Sequence, residues 1–125
     1  MTYPNQLALR ILTAGTLLLG ATGVSTAADM SFAVTNNHST AAEAAFYGED
    51  SGTVWPGADT TYSFIKGETK TVTFSCQEGE RICYGAWATG DTTTYWGVGQ
   101  GNQHGCPYCC YTCSGGQTET FNLVQ

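Results

Sequence analysis

The amino-acid sequence predicts an all-β fold, a small antiparallel β-sandwich of about six or seven strands stapled by disulfides. Three observations carry that prediction. Apolar residues recur at every second position over short runs bounded by Gly, Asn or Asp, which is the period of a half-buried strand. The 125-residue chain is rich in Gly (16) and poor in charge, at 11%. All six cysteines follow a segment that reads as an export leader, so they belong to a compartment where disulfides persist.

Residues 1 to 28 carry Arg10, an apolar run from Ile11 to Val24 and the small residues of STAA before Asp29. This is the pattern of a secretory signal peptide, cleaved after Ala27 or Ala28. The run is interrupted by Thr13, Gly15, Thr16, Gly20 and Gly23. It falls short of the roughly 20 apolar residues of a membrane span. Residues 29 to 125 are therefore expected to form one domain that does not span a membrane, secreted or periplasmic.

Within that domain, Phe32 and Val34 alternate with Ser31, Ala33 and Thr35 before an Asn36-Asn37 turn. The run AAEAAFY (41 to 47) has helix-favouring Ala and Glu, but it is too short between its turn signals and reads as a strand. TTYSF, TVTFSC, RICYGAWA, TTTYWGV and TETFNLV supply the other strands. A hairpin is predicted around QEGE. A turn at Gly79-Glu80 pairs Cys76 with Cys83, and a turn at Glu78-Gly79 pairs Phe74 with Cys83. Both registers put Val72, Phe74, Cys76, Cys83, Gly85 and Trp87 on one side, assigned to the core, with Phe74 covering the bare backbone of Gly85.

Leu, Ile, Val and Phe number only 13 among the 97 residues after the leader, a proportion that by itself indicates disorder. Fourteen of the 15 aromatic residues lie there too, each able to bury about 150–250 Å². The expectation is an aromatic core held by disulfides. Cys76 and Cys83 stand in strands, while Cys106, Cys109, Cys110 and Cys113 form CPYCCYTC near the end. Three disulfides are the simplest reading, with at least one tying Cys76 or Cys83 to the cluster. A second reading is a copper or zinc site built from His104, Cys106, Cys109, Cys110 and Cys113. A third is a redox-active C-x-x-C, although the βαβ context that usually accompanies one is missing.

Ten acids against Lys66, Lys70 and Arg81 leave this domain strongly acidic, which excludes binding to a phosphate backbone through a basic patch. No G-x-S-x-G and no diagnostic carboxylate pair is present, and Glu78 and Glu80 read as solvated turn residues, so neither an enzyme nor a cofactor is expected. Trp55, before the Pro56-Gly57 turn, and the adjacent Tyr95 and Trp96 are the candidate ligand-binding aromatics. In a strand, Tyr95 and Trp96 point to opposite faces. The function that follows is non-catalytic binding of an envelope or extracellular ligand, a glycan or a protein.

VWPG (54 to 57), CQEGERICYGAW (76 to 87), YWGVG (95 to 99) and CPYCCYTC together resemble a group of small exported bacterial proteins with no assigned activity. That resemblance covers about residues 54 to 123 and implies export without implying a chemistry. SFAVTNN also resembles the first strand of thaumatin-like β-sandwiches. Those domains are longer and richer in cysteine, so neither their fold nor their function is carried over.

Overall fold

Strict alternation in the first long strand sets the architecture. The computed structural model describes residues 26–116 and 118–124. In chain order its strands are β1 (Ala27–Asn36), β2 (Ala42–Gly48), β3 (Val54–Trp55), β4 (Tyr62–Phe64), β5 (Thr69–Gln77), β6 (Arg81–Ala88), β7 (Asp91–Gly97), β8 (Cys110–Thr112) and β9 (Thr118–Leu123). β1 buries Met30, Phe32, Val34 and Asn36 and turns Ser31, Ala33 and Thr35 outward. It pairs antiparallel with β5 and parallel with β9, forming a three-stranded sheet. In the second sheet β2 and β6 pair antiparallel at the centre. β3 and β4 share the free edge of β2, and β7 and β8 share that of β6.

The two sheets meet over the expected aromatic core. Phe32 of β1 stacks on Phe46 of β2 with ring centroids 4.4 Å apart, and Tyr111 and Phe121 approach Phe32 edge-on. Trp55 stacks on Phe74 at 4.6 Å and Tyr84 on Phe121 at 3.9 Å, so aromatic pairs bridge the sheets where aliphatic side chains are few. The run AAEAAFY forms β2 as a strand, and its inward residues Ala42, Ala44 and Phe46 are fully buried.

Three disulfides staple this sandwich: Cys76 to Cys113, Cys83 to Cys110 and Cys106 to Cys109. Both strand cysteines are thus tied to the cluster, and no described cysteine is free. Such a framework belongs to an oxidising compartment rather than the cytoplasm. Among the described residues no helix is long and apolar enough to cross a membrane.

The structure corrects several expectations. Among the described residues the sandwich has nine strands rather than six or seven, and its β1/β9 pair is parallel. β5 and β6 do not form a hairpin; they lie in different sheets, and the turn between them crosses from one sheet to the other. The crossing is held from several sides. Gly79 N–H donates to the Cys113 carbonyl at 2.9 Å, and Cys113 N–H donates to the Glu80 carbonyl at 2.7 Å. The Glu80 side chain, expected in solvent, is 4% exposed and accepts from the N–H and hydroxyl of Ser51 and from Gln77 N–H.

The face assigned to β6 is also inverted. Ile82, Tyr84 and Ala86 point into the sandwich, whereas Cys83, Gly85 and Trp87 point to the outer side of their sheet. Gly85 is accordingly covered by the backbone of Gly99, not by Phe74. Most of the segment read from the sequence as a signal peptide lies outside the described residues. Ala27 and Ala28, placed at the end of that segment, pair with Gln77 and Cys76 as the opening residues of β1.

Candidate functional site

The outer face of the second sheet is largely apolar and is covered in part by a loop. Its register aligns three rows of side chains across the strands: Glu43, Trp87 and Tyr95; Ala45, Gly85 and Gly97; Tyr47, Cys83 and Cys110. The middle row has almost no side-chain volume, and the segment following β7 folds back into that trough. A Cβ on Gly85 would lie 2.1 Å from the Gly99 carbonyl oxygen, so only glycine admits this approach. Gly97 and Gly99 take positive φ values of 62° and 66°, which reverse the chain over the sheet.

Backbone hydrogen bonds then fix this cap. Val98 N–H donates to the Tyr84 carbonyl at 2.9 Å, His104 N–H to the Val98 carbonyl at 3.0 Å and Tyr84 N–H to the Cys109 carbonyl at 3.0 Å. The Tyr47 hydroxyl accepts from Gly101 N–H at 2.8 Å. Val98 and Cys109 are buried against Ala45, Tyr47, Cys83 and Trp87, a second apolar cluster outside the sandwich core.

The cap leaves part of this face open. A cleft of about 470 Å³ lies beside it, with Tyr47 and Trp87 in its floor and Glu43, Asp59, Thr60 and Gln100 around its rim. Glu43 accepts from the Thr61 hydroxyl at 2.8 Å, which orients one carboxylate oxygen. Burial raises the Tyr47 phenol above its ordinary 10.0, although the N–H groups of Gly101 and Asn102 oppose the shift. At neutral pH the hydroxyl therefore keeps its proton. Among the described residues two carboxylates and no Lys or Arg line this cleft, so its field favours a neutral or cationic ligand. Its volume falls within the range of small-ligand sites, about 300–1,000 Å³.

A second cavity of about 450 Å³ lies at the other end of the cap, lined by Glu49, Arg81, Asn102, His104 and Cys106 among others. Glu49 Oε1 sits 3.1 Å from Cys83 Sγ and accepts from Asn102 Nδ2 at 3.3 Å. Glu49, Cys83 and Cys110 place potential metal-binding atoms close together, but the two sulfurs are bonded to each other.

The sequence-predicted residues separate into several places. Tyr95 is 41% exposed on the outer face, with its ring stacked on His104 at 3.8 Å. Trp96 points to the opposite side, where its Nε1 donates to the Val124 carbonyl at 2.8 Å and His38 meets its ring edge-on. Trp55 is half-buried and is occupied by Phe74 of the facing sheet. Tyr95 and Trp96 share a shallow groove of about 320 Å³ near His38, and Trp55 has no part in it.

The proposed metal ligands do not converge as a set of thiolates. Cys106 and Cys109 are bonded to each other, Cys110 and Cys113 are bonded to Cys83 and Cys76, and His104 packs on Tyr95. Sequence reasoning missed Glu43, Tyr47, Asp59 and Gln100, and placed Trp87 in the wrong layer. One signal was available: Glu43 interrupts an otherwise apolar run, and a carboxylate in the middle of a buried strand needs a partner or a cavity.

Fold and site together define a disulfide-stapled β-sandwich with a loop-capped, cleft-bearing outer face. No family model, curated protein or solved structure matches the chain.

Proposed function

We propose that this chain is a non-catalytic exported binding domain, secreted or periplasmic, whose ligand is a neutral or cationic glycan held in the cleft over Tyr47 and Trp87. The observation that supports this reading is the second sheet's outer face, apolar and aromatic but only partly covered by its cap. Sugars present C–H faces to aromatic rings and hydroxyls to carboxylates and amides. Tyr47 and Trp87 offer the first kind of contact, and Glu43, Asp59 and Gln100 the second. Uncharged or amino sugars suit the two carboxylates, whereas uronic acids and sulfated glycans are repelled.

The test is a glycan array followed by titration calorimetry on the best ligand. Glu43→Gln and Asp59→Asn should each weaken binding about tenfold or more, as loss of a charged hydrogen bond does. Unchanged near-ultraviolet circular dichroism would show that both variants remain folded. A blank array together with a blank pull-down from envelope extract at high protein concentration overturns the reading, as does binding indifferent to both substitutions.

A further inference from the structure

The three disulfides are not equivalent, and we infer that the Cys106–Cys109 pair is a thiol–disulfide exchange site that accepts electrons from an exported dithiol. The other two bridges span 37 and 27 residues and hold separate strands together. This one spans three residues inside a single loop. Opening a bridge that closes so short a loop releases little chain, so reduction there is not coupled to loss of the fold.

The loop is also held without its bridge. Cys109 N–H donates to the Cys106 carbonyl at 3.1 Å, and the Cys109 carbonyl accepts from Tyr84 N–H at 3.0 Å. The next residue, Cys110, stays anchored to Cys83.

The two cysteine residues differ in exposure. Cys109 is only 6% exposed and belongs to the apolar cluster beneath the cap. Cys106 is half-buried at the rim of the 450 Å³ cavity that also holds His104, Arg81 and Glu49. Between them Pro107 and Tyr108 protrude, and Tyr108 is 90% exposed. An incoming thiolate therefore reaches Cys106 and not Cys109, and the protruding tip leaves room for a chain that carries it.

The exchange balances as follows. A partner thiolate attacks Cys106 Sγ, and the Cys106–Cys109 bond breaks with its electron pair going to Cys109, which takes up a proton. The partner's second thiol loses its proton and attacks the partner sulfur of the mixed disulfide, and Cys106 leaves as a thiolate and is protonated. The partner loses two electrons and two protons on closing its disulfide, and the Cys106/Cys109 pair gains both.

The test is timed reduction of the native protein by dithiothreitol, acid quench, alkylation and peptide mapping. Cys106 and Cys109 should be labelled at least about tenfold faster than the other four cysteines, with the near-ultraviolet signal intact through this phase. The double variant Cys106→Ser/Cys109→Ser should fold and keep only the slow phase. The inference is overturned if Cys76, Cys83, Cys110 or Cys113 is labelled at a similar rate, or if the aromatic signal collapses with the first two thiols. A double variant that fails to fold, or that retains the fast phase, overturns it equally.

Discussion

The two sheets turn very different outer faces away from the core they share. On the three-stranded sheet the outer side is a field of hydroxyls from Ser31, Thr35, Thr71, Thr73, Ser75 and Thr120, with cross-strand contacts of 2.8 Å between Ser31 and Thr73 and between Thr35 and Thr69. On the other sheet the outer side is apolar and capped, carries a disulfide and opens into the cleft. A face left to water needs only the pleat and side chains that water accepts. A face covered by a loop needs glycines that let the loop approach and cross-links that keep it there. The difference locates the cleft: a cavity forms where a covering element fits imperfectly, and among the described residues the second sheet's outer face carries such an element.

The strongest way to break the comparison is to remove the staple from the capped face. Cys83 is fully buried, and its bridge to Cys110 closes a loop of 27 residues. Cys83→Ala should cost about 2–5 kcal/mol and leave the Cys110 thiol free to scramble with its neighbours. The expected readout is loss of the cooperative thermal transition. A melting point within a few degrees of wild type would mean that the aromatic core suffices without this staple.

Next in size is Gly85→Ala, which keeps every disulfide and places a methyl group where the Gly99 carbonyl lies. The cap must lift, at an expected cost of about 1–3 kcal/mol. Because Gln100 and Gly101 line the cleft, ligand affinity should fall with stability. Chemical denaturation and binding titration on one sample check both. If stability falls while affinity holds, the cap does not shape the site.

The same contrast decides what the sequence discloses. β1 and β5 bury every second residue between half-buried or exposed neighbours, so their alternation reads directly as strand and face. β6 is buried on both sides along nearly its whole length, and its period vanishes; Cys83 and Trp87 are as hidden as Ile82 and Ala86. Periodicity cannot assign a face in such a strand. The QEGE segment carries an ordinary hairpin turn signal. Whether the chain pairs with itself or crosses to the other sheet depends on distant partners, namely the Cys113 backbone and Ser51. The cleft was hidden for the same reason, since its floor consists of residues that look like core until the cap is known.

Alkaline pH sharpens the comparison from the capped side with a smaller effect. Tyr47 on the outer face, and Tyr62, Tyr84 and Tyr111 on the sandwich side, are all raised above 10.0, in each case chiefly by burial. A phenol whose folded pKa lies above its unfolded value contributes its full stability below about pH 10 and loses it as the pH climbs through the folded value. Unfolding free energy should therefore fall above about pH 10. Tyr47→Phe should flatten part of that slope, while its lost acceptor for Gly101 N–H costs about 1 kcal/mol at neutral pH. Phenolate absorbance followed through the same range assigns the ionisations. A slope unchanged by the substitution would remove Tyr47 from the account.

The smallest effect belongs to the solvated face. Thr73 and Ser31 share a hydroxyl contact of 2.8 Å in the open, where water replaces either partner at little cost. Such cross-strand hydroxyl pairs contribute about 0.2–1 kcal/mol, and surface substitutions commonly stay within about 0.5 kcal/mol. Thr73→Ala should therefore shift the denaturation midpoint only slightly and leave ligand binding unchanged, because neither hydroxyl lines the cleft. Thr73→Val keeps the β-branched shape while removing the hydroxyl, so it separates strand preference from the hydrogen bond and should lie closer to wild type than the alanine variant. A loss of more than about 1 kcal/mol in either variant exceeds what an exposed pair supplies. It would mean that this face, too, is covered in the working protein, and the contrast between the two sheets would then belong to the isolated chain alone.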